Sequence, residues 1–200
     1  MSCNRGLPVT AGIGLAVAVS AAYGQALHPA FDDFEPVTRQ MLENPDPSDW
    51  LMYSRTYDAR RFSPLDQINR DNVADLERAW SIPLPSGVIE IIPIVYNGVM
   101  YLSVPAGQGE GGGVIALDAA TGETLWHYQP EPPLTTRAKS IAIYGDMVFH
   151  SAPAPRGELQ PVVALDARTG EVIWETAVED YRSGYYMTLA PLVAAGNVMV

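Results

Sequence analysis

The chain has 200 residues, of which 48% are hydrophobic and 18% charged, so it suits one globular domain and does not resemble a disordered protein. Its net charge of −11 argues against partners that are themselves anionic, such as nucleic acids and acidic membrane surfaces. The 17 glycines and 17 prolines favour many turns, as an all-β chain requires.

Residues 1–24 have the pattern of a secretory signal peptide. Arg5 precedes an apolar run from Ile13 to Ala22, and small residues follow. The run is too short to span a bilayer, so we expect a mature chain without a membrane span. An uncleaved anchor or a buried helix is the alternative, and mass spectrometry of the exported protein would decide by locating the N-terminus, which we expect between Tyr23 and Leu27. Cys3 is the only cysteine, so the mature chain would form no disulfide.

Two short helical turns are predicted in the N-terminal part of the chain. The polar, proline-rich stretch 25–48 has room for one helix from Val37 to Glu43. Further on, Asn69 is suited to cap a turn over Arg70–Glu77. The residues of this second turn that we expect to face inward are Val73 and Leu76.

Strand signals follow these turns. Alternating apolar residues predict a half-buried strand from Ala79 to Leu84, and two apolar strands flank Asn97-Gly98, a strong hairpin signal. The stretch Gly107–Gly112 formally matches the dinucleotide motif G-x-G-x-x-G. That motif needs a helix after it, whereas Val114–Leu117 is a predicted strand, so a flexible loop between strands is the better interpretation.

One stretch of eleven residues occurs twice. Ala116–Trp126 returns as Ala164–Trp174, 48 residues later, with eight of the eleven positions identical. The strand, turn and strand around Tyr96–Tyr101 return at the same offset. Short strands with a period near 50 are typical of propeller blades, which bury their faces by stacking. We therefore predict an all-β propeller of four-stranded blades over residues 49–200, rather than a hairpin that recurs by accident.

The repeat also predicts how neighbouring blades meet. Its Asp-Ala-x-Thr-Gly segment is turn chemistry, in which the Asp and Thr side chains accept from nearby N–H groups and the glycine takes a positive φ. The closing Trp126 and Trp174 are suited to lie between blades, where each ring N–H can reach a backbone carbonyl. These are the tryptophan-docking repeats of the predicted propeller.

The motifs resemble one known family. The stretches Arg61–Asn69 and Asn72–Trp80 are similar to the mature N-terminus of the alcohol dehydrogenases that depend on pyrroloquinoline quinone (PQQ), and Ala116–Trp126 and Ala164–Trp174 are similar to their tryptophan-docking repeats. The resemblance runs from about Trp50 to the last residue. It implies an eight-bladed propeller in the periplasm that oxidises a small alcohol with PQQ over Ca²⁺ or a lanthanide ion and passes electrons to a cytochrome c.

The resemblance also implies residues that bind the cofactor. Glu90, in Glu90-x-x-Pro93, matches the glutamate at the rim of the quinone, and Thr188 matches a threonine whose hydroxyl bonds the cofactor. Arg137 and Lys139 stand where the family places a cation against the carboxylates of PQQ. Each has a structural alternative: an exposed charge for Glu90, a strand-forming residue for Thr188 and solvated loop cations for the other two.

The sequence departs from the family at one place. Better-known members carry two adjacent cysteines ahead of the cationic position, which form a ring over the quinone, whereas Pro132–Thr135 stand here. The family's metal ligands and catalytic aspartate match no residue of the chain. The three histidines have no metal-ligand spacing, and pairs such as Asp32 and Asp33 are expected to be solvated charges.

Because 200 residues hold about three blades, we expect the chain to be the first part of a longer protein and to bind PQQ weakly by itself. The competing hypothesis for its function is a non-catalytic propeller that acts as a periplasmic scaffold for other proteins.

Overall fold

The structure, a computed structural model, describes residues 27–107, 110–130, 138–151, 159–180, 183, 187 and 189–200. The predicted signal peptide lies outside these residues and stays a prediction. Nearly all regular structure in the described part is β-strand. The strands are β1 (Ile89–Glu90), β2 (Ile94–Tyr96), β3 (Val99–Ser103), β4 (Ala106–Gly107), β5 (Glu110–Gly111), β6 (Val114–Asp118), β7 (Thr124–Tyr128), β8 (Ala138–Lys139), β9 (Ala142–Tyr144), β10 (Met147–Ser151), β11 (Leu159–Asp166), β12 (Val172–Asp180), β13 (Leu192–Ala194) and β14 (Asn197–Met199).

Two four-stranded antiparallel sheets form successive blades. The first has the order β2-β3-β6-β7 and the second the order β9-β10-β11-β12. Their registers agree, since Val99 pairs with Asp118 in the first blade and Met147 with Asp166 in the second. Both blades also have a register shift between their third and fourth strands, after Ala116 and after Ala164. The 48-residue repeat therefore corresponds to one blade, and the hairpin β13–β14 follows it with the pattern that opens each blade.

The predicted hairpin at Asn97-Gly98 is confirmed. It joins β2 to β3, and its two residues have φ values of 47° and 77°, as a two-residue turn between twisted strands requires. In the rejected dinucleotide motif, Gly107 and Glu110–Gly111 belong to the paired strands β4 and β5, where a loop was predicted, and the strand β6 follows in place of a helix. Residues 108 and 109 lie outside the described residues.

Tryptophan docking joins the two blades, as predicted for Trp126. The Trp126 ring N–H donates to the Ala167 carbonyl of the next blade at 3.0 Å, and the ring lies so close to Gly170 that a Cβ there would be 2.6 Å from it. Trp80 makes the same contacts one repeat earlier, with the Ala119 carbonyl at 3.1 Å and with Gly122. Each tryptophan thus packs on the Asp-Ala-x-Thr-Gly turn of the following repeat.

The turn chemistry is also confirmed. Asp118 Oδ1 accepts hydrogen bonds from the backbone N–H groups of Ala120 and Thr121, at 3.0 and 2.8 Å. These bonds, together with one from the Thr121 hydroxyl, hold the pKa of Asp118 below its usual value. Gly122 and Gly170 have φ values of 76° and 73°. The left-handed conformation explains why both repeats keep a glycine at this position.

The N-terminal segment, residues 27–60, packs on both blades. It contains a 3₁₀ turn (Pro29–Phe31) and one helix, α1 (Arg39–Glu43), which lies inside the predicted range and is capped by the Thr38 hydroxyl. Val37 forms an antiparallel bridge with Gly145 of the second blade, and Trp50 forms one with Val95 of the first. Leu42 and Leu51 are buried in the same apolar core as both blades.

Two predictions in the following stretch are wrong. A 3₁₀ turn forms over Val73–Asp75, and although the Asn69 side chain accepts from the Asp71 N–H, Val73 and Leu76 are 51% and 57% exposed. No apolar surface of the described structure covers these two side chains. The helical spacing of Val73 and Leu76 was therefore not enough to determine whether they are buried. The strand predicted over 79–84 is extended chain without a β-ladder. The alternating apolar side chains of this stretch are nevertheless packed. Trp80, Ile82 and Leu84 contact the buried cluster around Leu102 and Leu117.

No helix in the described part of the chain is long and apolar enough to cross a membrane.

Candidate functional site

A cavity of about 590 Å³ lies among three segments of the chain. Its walls come from the N-terminal segment (residues within 51–59), from the stretch 139–143 that leads from β8 into β9, and from residues 189–193 at β13, together with Leu42 and Glu90. Most of these side chains are aliphatic. Among the described lining residues, Glu90 and Lys139 are the only charged ones. The cavity is therefore an apolar space with one ion pair in its wall.

Backbone pairing brings the ion pair together. Strands β1 and β8 run parallel, with Glu90 opposite Lys139 in the register. The Lys139 ammonium binds the Glu90 carboxylate, and the two side chains are 23% and 44% exposed. Because an aligned parallel pair places the two residues side by side, a separation of 49 residues in sequence becomes a direct contact.

The N-terminal wall of the cavity is fixed by a tyrosine. The Tyr57 hydroxyl donates to the Val193 carbonyl at 2.7 Å and so ties this wall to β13. Burial raises the pKa of Tyr57, and the neighbouring Glu43 carboxylate adds to the effect, so the hydroxyl keeps its proton as a donor. Arg55, Ala59 and Arg61 have φ values of 68°, 54° and 50°, which are unfavourable for residues other than glycine. This strained loop keeps its shape because surrounding contacts hold it.

The structure brings two of the four predicted cofactor residues together. Glu90 and Lys139 form the ion pair of the cavity wall. Arg137 and Thr188 lie outside the described residues, as does the stretch Pro132–Thr135 that replaces the cysteine pair. Residues 189–191, which directly follow Thr188, line the cavity.

The N-terminal wall of the cavity was not predicted from the sequence. Tyr53 and Tyr57 both line the cavity. The cluster of aromatic residues and arginines in the stretch from Trp50 to Asn69 was a signal for it, but composition alone did not say which surface the stretch would cover.

The residues present fit a planar, acidic ligand. The cavity volume lies within the roughly 300–1,000 Å³ typical of small-molecule sites. Its aliphatic walls suit a flat ring system, and the Lys139 ammonium suits a carboxylate. A quinone with carboxylate groups, such as PQQ, has both features. The described residues do not form a comparable site for a metal ion. They contain no group of three or more His, Cys, Asp or Glu side chains that could hold one.

Repeated four-stranded blades and docked tryptophans define a β-propeller. The family model that describes the β-propeller domain of PQQ-dependent glucose, ethanol and alcohol dehydrogenases matches residues 50–158, which is more than half of the chain. The chain belongs to this family.

Individual relatives agree with the family model. The dehydrogenase subunit of the quinone alcohol dehydrogenase from Komagataeibacter europaeus is 39% identical over 128 residues, covering 62% of this chain and 16% of the relative. The structure of quinohemoprotein alcohol dehydrogenase ADHIIG from Pseudomonas putida superposes with a TM-score of 0.66 at 32% identity, over 82% of this chain and 24% of that one. A europium-containing methanol dehydrogenase superposes with a TM-score of 0.63 at 28% identity, over 80% of this chain and 28% of that one. The chain thus spans about a sixth of the length of the curated relative.

Proposed function

We propose that the chain forms the first blades of a quinoprotein dehydrogenase that oxidises alcohols with PQQ. The observation that carries the proposal is the Lys139–Glu90 ion pair in the wall of an apolar cavity, on a chain of the PQQ propeller family. The chain has one lysine and a net charge of −11, so an acidic cofactor needs a local cation such as this one.

The chain's own residues would bind and shield the cofactor. When bound, PQQ supplies the chemistry of the reaction by accepting the two electrons released from the alcohol. Lys139 would donate from its ammonium group to a carboxylate of the cofactor, in competition with Glu90. The aliphatic side chains of 141–143 and 189–193 would cover apolar ring surface and exclude water from it.

The remaining features are proposals that follow from the family. A Ca²⁺ or lanthanide ion beside the quinone is suggested by the europium-containing relative, and it would act as a Lewis acid on a quinone oxygen. Electron transfer to a cytochrome c and a location in the periplasm are suggested by the family resemblance and by the signal-like residues 1–24.

Alcohol-dependent dye reduction by the complete gene product, supplied with PQQ and Ca²⁺ or La³⁺, tests the proposal. Lys139→Met should weaken PQQ binding by about tenfold or more, since a hydrogen bond to a charged group contributes about 1.5–3 kcal/mol. Arg39→Met removes a cation from an exposed ion pair that is not in the cavity wall, and it should bind PQQ normally. A protein that neither binds PQQ nor reduces dye would favour the non-catalytic scaffold instead.

A further inference from the structure

The backbone at Lys139 pairs with β1, which precedes the first blade, although the residues that follow Lys139 enter the second blade. In the described structure β8 pairs with β1, whereas β9, which begins at Ala142, pairs within the second blade. The β1–β8 ladder has two register pairs. So short a ladder cannot by itself fix the direction of a long lysine side chain, which has high conformational freedom.

A buried serine of the first blade binds the Lys139 backbone. Ser103, the last residue of β3, is fully buried, and its hydroxyl donates to the Lys139 carbonyl oxygen. The last residue of a first-blade strand is therefore in direct contact with the backbone of Lys139. The bond joins the end of β3 to the Lys139 backbone and so constrains both residues.

A second serine joins the residues that follow the two strands of the ion pair. Ser140 is 3% exposed, and its hydroxyl oxygen accepts from the Ile92 N–H at 2.7 Å. Ile92 follows Glu90 by two residues, and Ser140 directly follows Lys139. This bond therefore fixes the segment that carries Glu90 relative to the segment that carries Lys139.

We propose that Ser103 and Ser140 are positioning residues that hold the Lys139 ammonium toward the carboxylate of the bound cofactor. The inference rests on the proposed function, because it assigns a role within the same site. Ser103 acts through the carbonyl group of Lys139 itself, and Ser140 acts through its own bond to the Ile92 N–H, directly after the lysine. The Ser103 bond reaches β3 of the first blade, so cofactor binding would also depend on how the two blades meet.

The repeat supplies a matched control. Ser151 lies 48 residues after Ser103 and ends β10 as Ser103 ends β3. Its buried hydroxyl has no hydrogen-bond partner among the described residues. Ser151→Ala therefore removes the same group from the same place in the next blade without touching the Lys139 segment.

The test measures PQQ affinity of the complete gene product by fluorescence titration. Ser103→Ala and Ser140→Ala should each weaken binding by about fivefold, as expected for the loss of one orienting hydrogen bond. Ser151→Ala should bind like the wild type, and Ser140→Thr, which keeps the hydroxyl, should recover most of the affinity. If Lys139→Met binds weakly while both serine-to-alanine variants bind as tightly as Ser151→Ala, the positioning role is wrong and the proposed function stands.

A second readout does not depend on PQQ. Lys139 is the only lysine of the 200 residues, and in NMR spectra of the complete gene product grown with ¹⁵N-lysine its side-chain ammonium signal is the one that disappears in Lys139→Met. That signal should move toward the position of free lysine in Ser103→Ala and Ser140→Ala and keep its position in Ser151→Ala. If the wild type fails to bind PQQ, the proposed function is wrong, and this signal still decides whether the serines orient the lysine. A signal that is unchanged in all three variants would overturn the inference.

Discussion

His150 is an ionisable residue that is buried without a hydrogen-bond partner among the described residues. It lies on β10, and neither of its ring nitrogens has a hydrogen-bond partner among the described residues. Burial lowers its pKa from 6.5 to about 4, because an apolar environment disfavours the imidazolium form. At the equivalent place 48 residues earlier the first blade has Leu102, which is also buried.

The buried imidazole makes stability depend on pH. Because the pKa of His150 is lower in the folded state, the unfolded chain takes up the proton first, and stability is lost as the pH falls from 6.5 toward 4. Between pH 7.5 and pH 5 the loss should be about 2 kcal/mol, since one pKa unit corresponds to about 1.4 kcal/mol. Urea unfolding at the two pH values measures it. His150→Leu, which copies the first blade, should remove this part of the pH dependence, and an equal loss in the variant would show that other groups cause it.

Blade docking depends on the approach of tryptophan to glycine. Gly170→Ala would place a methyl group 2.6 Å from the ring of Trp126 and would also force alanine to a φ of 73°. Gly98→Ala would also force alanine to a positive φ, of 77°, but it would cause no steric clash because nothing lies within 4 Å of the added carbon. The left-handed conformation costs roughly 1–2 kcal/mol at either position, and overpacking adds about 1–3 kcal/mol at the first. Thermal unfolding should rank Gly170→Ala as clearly the less stable; equal losses would mean that the ring does not need this contact.

The positions of strands and turns were predicted from the sequence more accurately than the burial of their side chains. The hairpin at Asn97-Gly98 and the Asp118 turn follow from local chemistry, since a few adjacent residues form all of their contacts. The repeat strengthened these predictions, because two copies had to agree. The orientation of Val73 and Leu76 could not be predicted in this way. Their exposure depends on which surface lies against the turn, and helical periodicity carries no information about that surface.

For the whole molecule, the N-terminal segment contacts the hairpin that opens each successive repeat. The Asp49 carboxylate accepts from the Asn97 N–H at 3.0 Å, Val37 bridges to Gly145, and Tyr57 donates to the Val193 carbonyl. The last contact joins residues 136 positions apart. No spacing rule predicts such a pair, which is why the position of this segment in the cavity wall could not be predicted from the sequence.

The candidate site was only partly predictable for the same reason. Glu90 and Lys139 were each identified by resemblance to the family, but their direct contact depends on the parallel pairing of β1 with β8. The roles inferred for Ser103 and Ser140 had no sequence signal. Serine is common near strand ends, and its partners here are backbone atoms of other segments.

A crystal structure of the complete gene product with PQQ bound is the direct test of the proposed site. We expect the quinone in the cavity between residues 51–59, 139–143 and 189–193, with a cofactor carboxylate within hydrogen-bond distance, about 2.7–2.9 Å, of the Lys139 ammonium. PQQ bound elsewhere, or bound with Lys139 still paired to Glu90 and out of reach of the cofactor, would contradict it.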